Sequence, residues 1–271
     1  MSDIVSATHL MLLLPFLLSL AALSNVTVLA QTGEDAARFI ALGVPAARVQ
    51  VAGNLKFDRL VDPRQRQRGQ QLRAQYAGAR PLWVAGSTHA GEEQAALAAH
   101  RNWCDTHGAA LLVIAPRHAS RFGEVAALLA ASGLRIARRS APTAADGDAD
   151  VLLLDTIGEL TDFYAAADLA FVGGSLVPVG GHNLLEPAAL GVATITGPQQ
   201  FNAPDIARRL TACDGVRVVS TGAALSAAVV ELLGDDLARA RLAKAGQDAV
   251  AENGGALARA ITAVRGLMFA P

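Results

Sequence analysis

Short apolar runs alternate with helical segments along most of the chain. The helical segments repeat apolar positions at a spacing of three or four residues. The strand candidates are short and bounded by turn-forming residues, and they read PLWVAG, ALLVIAP, LRIARR, VLLLD, LAFVGG, VATITG and VRVVS. This alternation predicts an α/β fold in which helices wrap a mostly parallel sheet. In such a sheet, ligands bind where the strands end and the helices begin.

Two helices carry local start and stop signals. In TGEDAARFIALG, Thr32 is a candidate N-cap and Gly43 is placed to end the helix. In VDPRQRQRGQQLRAQYAG, Asp62 is a candidate cap and Pro63 suits the first helical position. The segments VTVLA and ARVQV flank the first of these helices and are predicted to be strands.

The N-terminal segment from Leu10 to Ala30 carries no charged residue. Its strictly apolar part ends at Leu23, which is short for a transmembrane helix. No Lys or Arg precedes it, as a secretory signal would require. We favour a helix that is buried or lies on a membrane surface, with a membrane span or a signal as the alternatives.

Composition excludes several classes of function. The chain has 271 residues, of which 52% are hydrophobic, and a formal net charge of −1. No basic stripe with interleaved aromatic residues indicates nucleic-acid binding. The two cysteines, Cys104 and Cys213, are far apart and lack the spacing of a zinc site or a disulfide framework. A protein of a reducing compartment with a small or anionic ligand fits these observations.

Four predicted strand ends are followed by small and polar residues. These loops read GSTHAGEE, PRHASRF, TIGEL and GGSLVPVGGHNLLEPAALG. Glycine lets the backbone approach a phosphate or a sugar closely, and Arg117 could contact a phosphate or carboxylate through two N–H groups. Each feature alone has a structural explanation, but four such loops on one sheet edge indicate a binding site.

The motifs along the chain resemble those of the 3-deoxy-D-manno-octulosonic acid (Kdo) transferases of lipopolysaccharide assembly. The resemblance begins near Gln31 and extends to the C-terminal helices, and it rests on VAGNLKFD, GSTHAGEE, APRHASRF, DTIGEL, YAAADLAFVGGSLVPVGGHNLLEPAALG and GPQQFNAPDIARRL. It implies the GT-B arrangement, in which two Rossmann-like domains face each other across a cleft. It further implies a metal-independent reaction without a cofactor, in which the C-terminal domain binds the donor CMP-Kdo.

The resemblance also implies which residues contact the donor. They are Ser87, Pro116, Arg117, Ile157, Gly158, Glu159, Gly173, Gly174, Ser175, His182, Asn183, Leu184, Leu185 and Glu186. Arg117 suits the phosphate, a carboxylate such as Glu186 suits the ribose hydroxyls, and the three residues from Gly173 would let the backbone reach the Kdo carboxylate or the phosphate. His182 is expected either to contact the donor or to order its loop.

The chain departs from the family pattern at two places. Leu184 stands where the family usually has proline, which should alter the start of the following helix. The family's general base is a glutamate in the N-terminal domain, and residues 1–30 contain no glutamate. We therefore expect residues 1–30 to be a remnant of the acceptor domain or a membrane-associated segment, and residues 31–271 to form the donor domain.

The resemblance implies a Kdo transferase that acts on a lipid A precursor at the cytoplasmic face of the bacterial inner membrane. Its partners would be CMP-Kdo, the lipid acceptor and the membrane surface, without nucleic acid. Because the general base is missing, we expect the chain alone to bind the donor without transferring Kdo. A nucleotide-sugar-binding fragment without activity, and a GT-B transferase that uses a UDP-sugar, are the alternative hypotheses.

Overall fold

The computed structural model describes residues 25–58 and 62–269. Most of the apolar N-terminal segment lies outside the described residues, and the predictions made for it are not addressed by the structure. The described chain forms two compact units, one of residues 25–58 with 253–269 and one of residues 62–252. Among the described helices, none is both long enough and apolar enough to cross a membrane.

Strands and helices alternate as the sequence predicts. The strands are β1 (Val28–Ala30), β2 (Val49–Val51), β3 (Leu82–Thr88), β4 (Leu111–Pro116), β5 (Ile136–Arg138), β6 (Val151–Leu153), β7 (Leu169–Val172), β8 (Ala193–Thr196) and β9 (Arg217–Val218). The α-helices are α1 (Gly33–Ala41), α2 (Pro63–Tyr76), α3 (Glu92–His107), α4 (Phe122–Ala130), α5 (Leu160–Ala166), α6 (Leu185–Leu190), α7 (Pro204–Ala212), α8 (Gly222–Gly234), α9 (Asp236–Glu252) and α10 (Ala256–Met268).

The larger unit is built on a parallel sheet of seven strands in the order β5-β6-β4-β3-β7-β8-β9. Trp83, Ile114 and Phe171 on its central strands are fully buried. The α3 helix packs against α8, and α2 packs against α5. The predicted α/β fold with a parallel sheet is confirmed.

The strand order reverses between β3 and β7. From β3 the chain builds outward through β4 to the β5–β6 edge, and from β7 it builds outward in the opposite direction through β8 to β9. The loops that leave β3 and β7 therefore diverge and open a crevice at the carboxyl ends of these strands. In open α/β sheets, ligands bind in this kind of crevice.

The smaller unit is a β-α-β segment with α10. Its strands β1 and β2 are parallel, with Val28 opposite Val49, and α1 packs on both. The predicted cap at Thr32 is confirmed, because its Oγ1 accepts a hydrogen bond from the N–H of Asp35 at 3.0 Å. Gly43 follows α1 with a φ of 100°, as predicted for the end of a helix.

The compact units divide the chain at a different place from the predicted boundary at residue 30. The strand β2 pairs with β1 and not with the seven-stranded sheet. Val28, Ala30, Ala36 and Val44 form a separate small core. Residues 31–58 thus group with β1, because Ala36 and Val44 are buried with it in this core and β2 pairs with it.

Candidate functional site

The carboxyl edge of the large sheet brings four predicted loops together. The loops after β3, β4 and β6 enclose a cavity of about 180 Å³. It is lined by Ser87, Ala115, Pro116, Arg117, Ala119, Phe122, Leu154, Thr156, Ile157, Gly158 and Leu160. Five of the predicted donor contacts therefore share one cavity, which is smaller than the usual 300–1,000 Å³ of a ligand pocket. The cavity has room for part of a ligand larger than this volume.

Ser87 holds a strained backbone conformation at this cavity. Its φ is 55°, a left-handed value that is uncommon for residues other than glycine. The register between β3 and β4 shifts at the same point, between Gly86 and Thr88. Such strain costs about 1–3 kcal/mol and is concentrated at functional sites. The strain at Ser87 is thus an independent sign that this sheet edge binds a ligand.

Arg117 is exposed at the end of β4. Its backbone N–H donates to the carbonyl of Thr88 at 3.0 Å, which fixes the loop. Its guanidinium has no ion-pair partner among the described residues. Four residues further on, Arg121 instead binds the fully buried Glu93 at 2.5 Å. Arg117 is therefore the cation that this loop can offer to a ligand.

The turn after β6 presents its backbone to the cavity. Ile157 is 85% exposed, and Gly158 has a φ of 93°. Within the described part of the chain, the N–H groups of Ile157 and Gly158 have no hydrogen-bond acceptor. These two donors are therefore open to a ligand, and the predicted contact at this turn stays a prediction.

Glu159 has a different environment from the one we expected. Its carboxylate accepts hydrogen bonds from Arg139, at 3.0 Å from Nε and 2.5 Å from Nη2, and from the hydroxyl of Thr156. The hydrogen bond from Arg139 is the main cause that lowers the pKa of Glu159. Glu159 does not line the cavity. Its carboxylate therefore holds the turn in place, while the neighbouring backbone faces the cavity.

The glycine-rich loop after β7 also differs from the expectation that its backbone reaches the donor anion. The N–H of Gly173 donates to the carbonyl of Gly86 in β3. The N–H groups of Gly174 and Ser175 donate to the carboxylate of Glu92, at 2.7 and 3.0 Å. These three amides already have acceptors within the fold, so the predicted contacts at Gly173, Gly174 and Ser175 stay predictions that would need other atoms of these residues.

Glu92 is a buried carboxylate that joins the loops after β3 and β7. It is 1% exposed. Besides the two amides of the glycine-rich loop, it accepts from the N–H groups of Leu176 and His89, each at 3.0 Å. Four backbone donors thus share one carboxylate, which compensates for its burial. Sequence reasoning missed this role, although Glu92 follows a glycine at a helix start, where acidic residues are favoured.

The segment at the start of α6 combines buried and exposed residues. The side chains of Leu184 and Leu185 are 2% and 1% exposed, so only their backbone could contact a ligand. Asn183 is exposed, and its Oδ1 accepts from the N–H of Leu185 at 3.1 Å. Its amide group donates to Glu186 at 3.3 Å. Asn183 and Glu186 are therefore oriented together at this helix start.

His182 contacts His89, a residue that was not among the predicted donor contacts. Their Nε2 atoms are 2.8 Å apart, and their ring planes are nearly parallel with centroids 5.1 Å apart. Burial, followed by the neighbouring His89 and Arg117, lowers the pKa of His182 to about 4. Burial likewise lowers the pKa of His89. Within residues 25–58 and 62–269, no group of three or more His, Cys, Asp or Glu side chains could hold a metal ion.

Comparison with known proteins identifies relatives of the chain. A family model described as 3-Deoxy-D-manno-octulosonic-acid transferase (kdotransferase) matches residues 6–59. A 3-deoxy-D-manno-octulosonic acid transferase of Haemophilus influenzae is 40% identical over 86% of this chain and 55% of its own length. That of Bordetella pertussis is 40% identical over 88% of this chain and 55% of its own length. The chain thus spans about half the length of these relatives.

Solved structures agree with these sequence relationships. The C-terminal CMP-Kdo binding domain of WaaA from Acinetobacter baumannii is 30% identical, with a TM-score of 0.66, and the alignment covers 70% of this chain and 99% of that domain. Anabaena HepE in complex with UDP-glucose is 15% identical, with a TM-score of 0.55 over 98% of this chain and 70% of HepE, and shows a similar fold only. The chain belongs to the family of 3-deoxy-D-manno-octulosonic acid transferases.

Proposed function

We propose that this chain binds CMP-Kdo at the carboxyl edge of the large sheet, as the donor-binding part of a Kdo transferase. The observation that carries the proposal is the convergence of Ser87, Pro116, Arg117, Ile157 and Gly158 on one cavity beside the topological switch point. The similarity to a domain described as CMP-Kdo binding supports the choice of donor.

The polar groups at this edge suit a nucleotide with one phosphate. Arg117 would bind the phosphate through charge-assisted hydrogen bonds. The free N–H groups of Ile157 and Gly158 would donate to oxygen or ring-nitrogen acceptors of the nucleotide. Glu186, oriented by Asn183, would accept hydrogen bonds from the ribose hydroxyls.

The acceptor of the transferred sugar would be a lipid A precursor. The reaction would take place at the cytoplasmic face of the bacterial inner membrane, with the enzyme on the membrane surface.

Transfer needs a base that takes a proton from the acceptor hydroxyl. Three carboxylates near the cavity already have structural partners, since Glu92 binds backbone amides, Glu93 binds Arg121 and Glu159 binds Arg139. We therefore expect the base to come from outside this edge of the sheet.

Titration calorimetry with CMP, UMP and UDP tests the proposed donor. We expect the chain to bind CMP more tightly than either uridine nucleotide. Equal or preferential binding of UDP would contradict the proposal and favour a transferase that uses a UDP-sugar.

A transfer assay tests the complete reaction. The chain is incubated with CMP-Kdo and a lipid A precursor, and the product is measured by mass spectrometry. We expect donor binding with little transfer, and recovery of transfer when a Kdo transferase acceptor domain is supplied. Binding without transfer under both conditions would favour a nucleotide-sugar-binding protein that is not an enzyme.

A further inference from the structure

Two histidine rings meet across the switch point of the sheet. His89 follows β3, and His182 lies in the long loop after β7. Their Nε2 atoms are 2.8 Å apart, and their ring planes differ by only 6°. A hydrogen bond between two ring nitrogens needs one N–H donor and one bare nitrogen acceptor. The two rings are therefore not equivalent, because Nε2 carries a hydrogen in one of them and none in the other.

This geometry allows the pair to take up one proton but not two. The ring whose Nε2 donates has a bare Nδ1 when it is neutral, and a proton from solvent can bind there. The Nε2–H···Nε2 hydrogen bond then persists and becomes charge-assisted, which strengthens it. A second proton would place two N–H groups and two positive charges against each other at 2.8 Å. The pair is thus neutral or singly charged.

The charged groups around the pair include one arginine without an ion pair. The groups that face His89 and His182 come from the start of α3 and from the loop after β4, and they are Glu92, Glu93, Arg117, His118 and Arg121. Glu92 is satisfied by four backbone N–H groups, and Glu93 forms an ion pair with Arg121. Of the two arginines near the pair, Arg117 has no ion-pair partner within residues 25–58 and 62–269. Arg117 is therefore the cation beside the pair that can turn to a ligand.

Gly174 keeps the two rings close to the backbone. Its φ is 68°, and a Cβ atom at this position would lie 2.8 Å from the ring of His182 and 3.5 Å from that of His89. His182 is half-buried, whereas the neighbouring His118 is exposed and meets His89 edge-on at 5.5 Å. The loop thus holds the half-buried pair within range of the charge of Arg117.

We infer that His89 and His182, together with Arg117, bind the anionic group of the donor and take up one proton as it binds. This inference rests on the proposed donor-binding function. The anion is an oxyanion, either the phosphate of the nucleotide or the carboxylate of the sugar. Its negative charge compensates for the cost of charging the half-buried pair, so the bound pair carries one positive charge. In the complete reaction this charge would stabilise the departing phosphate.

The pKa values of His89 and His182 without a ligand agree with this inference. Burial is the main cause that lowers the pKa of both rings, and Arg117 lowers that of His182 further. With the pKa of His182 at about 4, the free pair is neutral at pH 7. An anion raises the pKa of the pair, and linkage then requires tighter anion binding as the pH falls. The affinity should increase by up to tenfold for each pH unit over the range in which the proton is taken up.

Calorimetry of CMP binding in buffers of different ionisation enthalpy measures the proton uptake. At pH 7.0 most of the free CMP phosphate is already doubly charged, because its second pKa is about 6. We expect an uptake approaching one proton per CMP bound if the phosphate is the anion. Proton uptake that occurs with CMP-Kdo but not with CMP identifies the sugar carboxylate as the anion that the pair binds. The ¹⁵N spectrum of the imidazoles in the wild-type chain should show one additional protonated nitrogen in the complex.

Substitutions test whether the proton is taken up by the histidine pair or by another titrating group. His182→Gln and, separately, His89→Gln should each abolish the proton uptake and reduce the affinity for CMP about tenfold or more at pH 6. The matched control is His107→Gln, because His107 is an exposed histidine at the end of α3 whose ring stacks on Trp103. The control should keep both the uptake and the affinity of the wild type.

Two results would overturn the inference in different ways. If both ligands bind with equal proton counts in the wild type and in His182→Gln, the pair does not take up the proton, while donor binding stands. If neither CMP nor CMP-Kdo binds to the wild type, the proposed function fails and this inference fails with it. The ¹⁵N spectrum needs no variant, so the inference can be tested even if a substituted chain does not fold.

Discussion

The two sides of the crevice differ in whether their polar groups already have hydrogen-bond partners. On the side of β3 and β7, the polar groups satisfy one another, because the carboxylate of Glu92 accepts from four backbone amides and His89 pairs with His182. On the side of β4 and β6, Arg117 and the N–H groups of Ile157 and Gly158 have no such partners among the described residues. The first side is a prebuilt support that holds the proposed histidine pair in position, and the second offers unpaired hydrogen-bond donors to a ligand.

This difference predicts which measurement a substitution changes. A residue of the support contributes to the free energy of unfolding, because it leaves buried donors or acceptors unpaired when it is removed. A residue of the open side contributes to ligand affinity and has little effect on the folded state. Four substitutions test this distinction.

The largest effect is expected for Glu92→Ala in the support. Four backbone N–H groups would lose their acceptor, and each buried N–H left unpaired costs about 1–3 kcal/mol. We expect the free energy of unfolding in urea to fall by about 3–5 kcal/mol, since solvent partly replaces the carboxylate. The control is Glu124→Ala, whose 63% exposed carboxylate should contribute within 0.5 kcal/mol or so. Equal losses of unfolding free energy in Glu92→Ala and Glu124→Ala would show that Glu92 does not support the fold.

The next effect is expected for Arg117→Ala on the open side. Loss of a charge-assisted hydrogen bond should weaken CMP binding by about 1.5–3 kcal/mol in calorimetry. The free energy of unfolding should change by less than about 0.5 kcal/mol. Arg208→Ala removes an arginine that is 66% exposed on α7, and it should leave CMP affinity unchanged. A large loss of stability in Arg117→Ala would mean that this residue also supports the fold.

Gly174→Ala tests the contact between the glycine-rich loop and the histidine pair. Its control is Gly133→Ala, because Gly133 has a similar φ of 74° but no atom within 4 Å of the added Cβ. Both variants should lose about 1–2 kcal/mol of stability through left-handed strain. Only Gly174→Ala, whose Cβ would meet His182 at 2.8 Å, should also weaken CMP binding. Unchanged CMP affinity in Gly174→Ala would remove the histidine pair from the donor site.

The smallest effect is expected for Glu159→Gln, which removes the charge that holds the turn after β6. The hydrogen bond from Arg139 holds the pKa of Glu159 below its ordinary range, so its stabilisation is present above about pH 4.3 and is lost as the pH falls further. The pair is partly exposed, and we therefore expect a difference of under about 1 kcal/mol at pH 7.

The pH dependence of this difference is measured by urea unfolding between pH 3 and pH 7. The difference between the wild type and Glu159→Gln should shrink towards zero below about pH 4. Arg139→Gln and the double variant complete a cycle that isolates the pair. Parallel pH curves for the wild type and Glu159→Gln would show that the ion pair does not contribute to stability.

The caps and the sheet could be predicted because their signals are local. Asp62 caps α2 by accepting from the N–H of Arg64 at 2.9 Å, two residues away. The central strands are continuous apolar runs, as expected for strands buried on both faces. The predicted residues at the ends of β3, β4 and β6 reached one cavity for a related reason, since parallel strands place their carboxyl ends on the same edge.

The partners of the buried polar groups could not be predicted from the sequence. Glu92 meets the amide of Gly174 from 82 residues away, and His89 meets His182 from 93 residues away. Neither spacing leaves a periodic signal in the chain. The expectation that the backbone of the glycine-rich loop reaches the donor stays a prediction, but the sequence did not show that a distant carboxylate accepts from the amides of Gly174 and Ser175.

The sequence by itself determined the order of the strands and helices, their caps and the family of the protein. Those properties depend on residues within a few positions of each other, or on motifs read in order. Only the tertiary structure decided which polar groups face the crevice and which satisfy each other beneath it. The physical reason is that a buried carboxylate, amide or imidazole must find a partner when it leaves water, and the packing of the sheet brings that partner from a distant part of the chain.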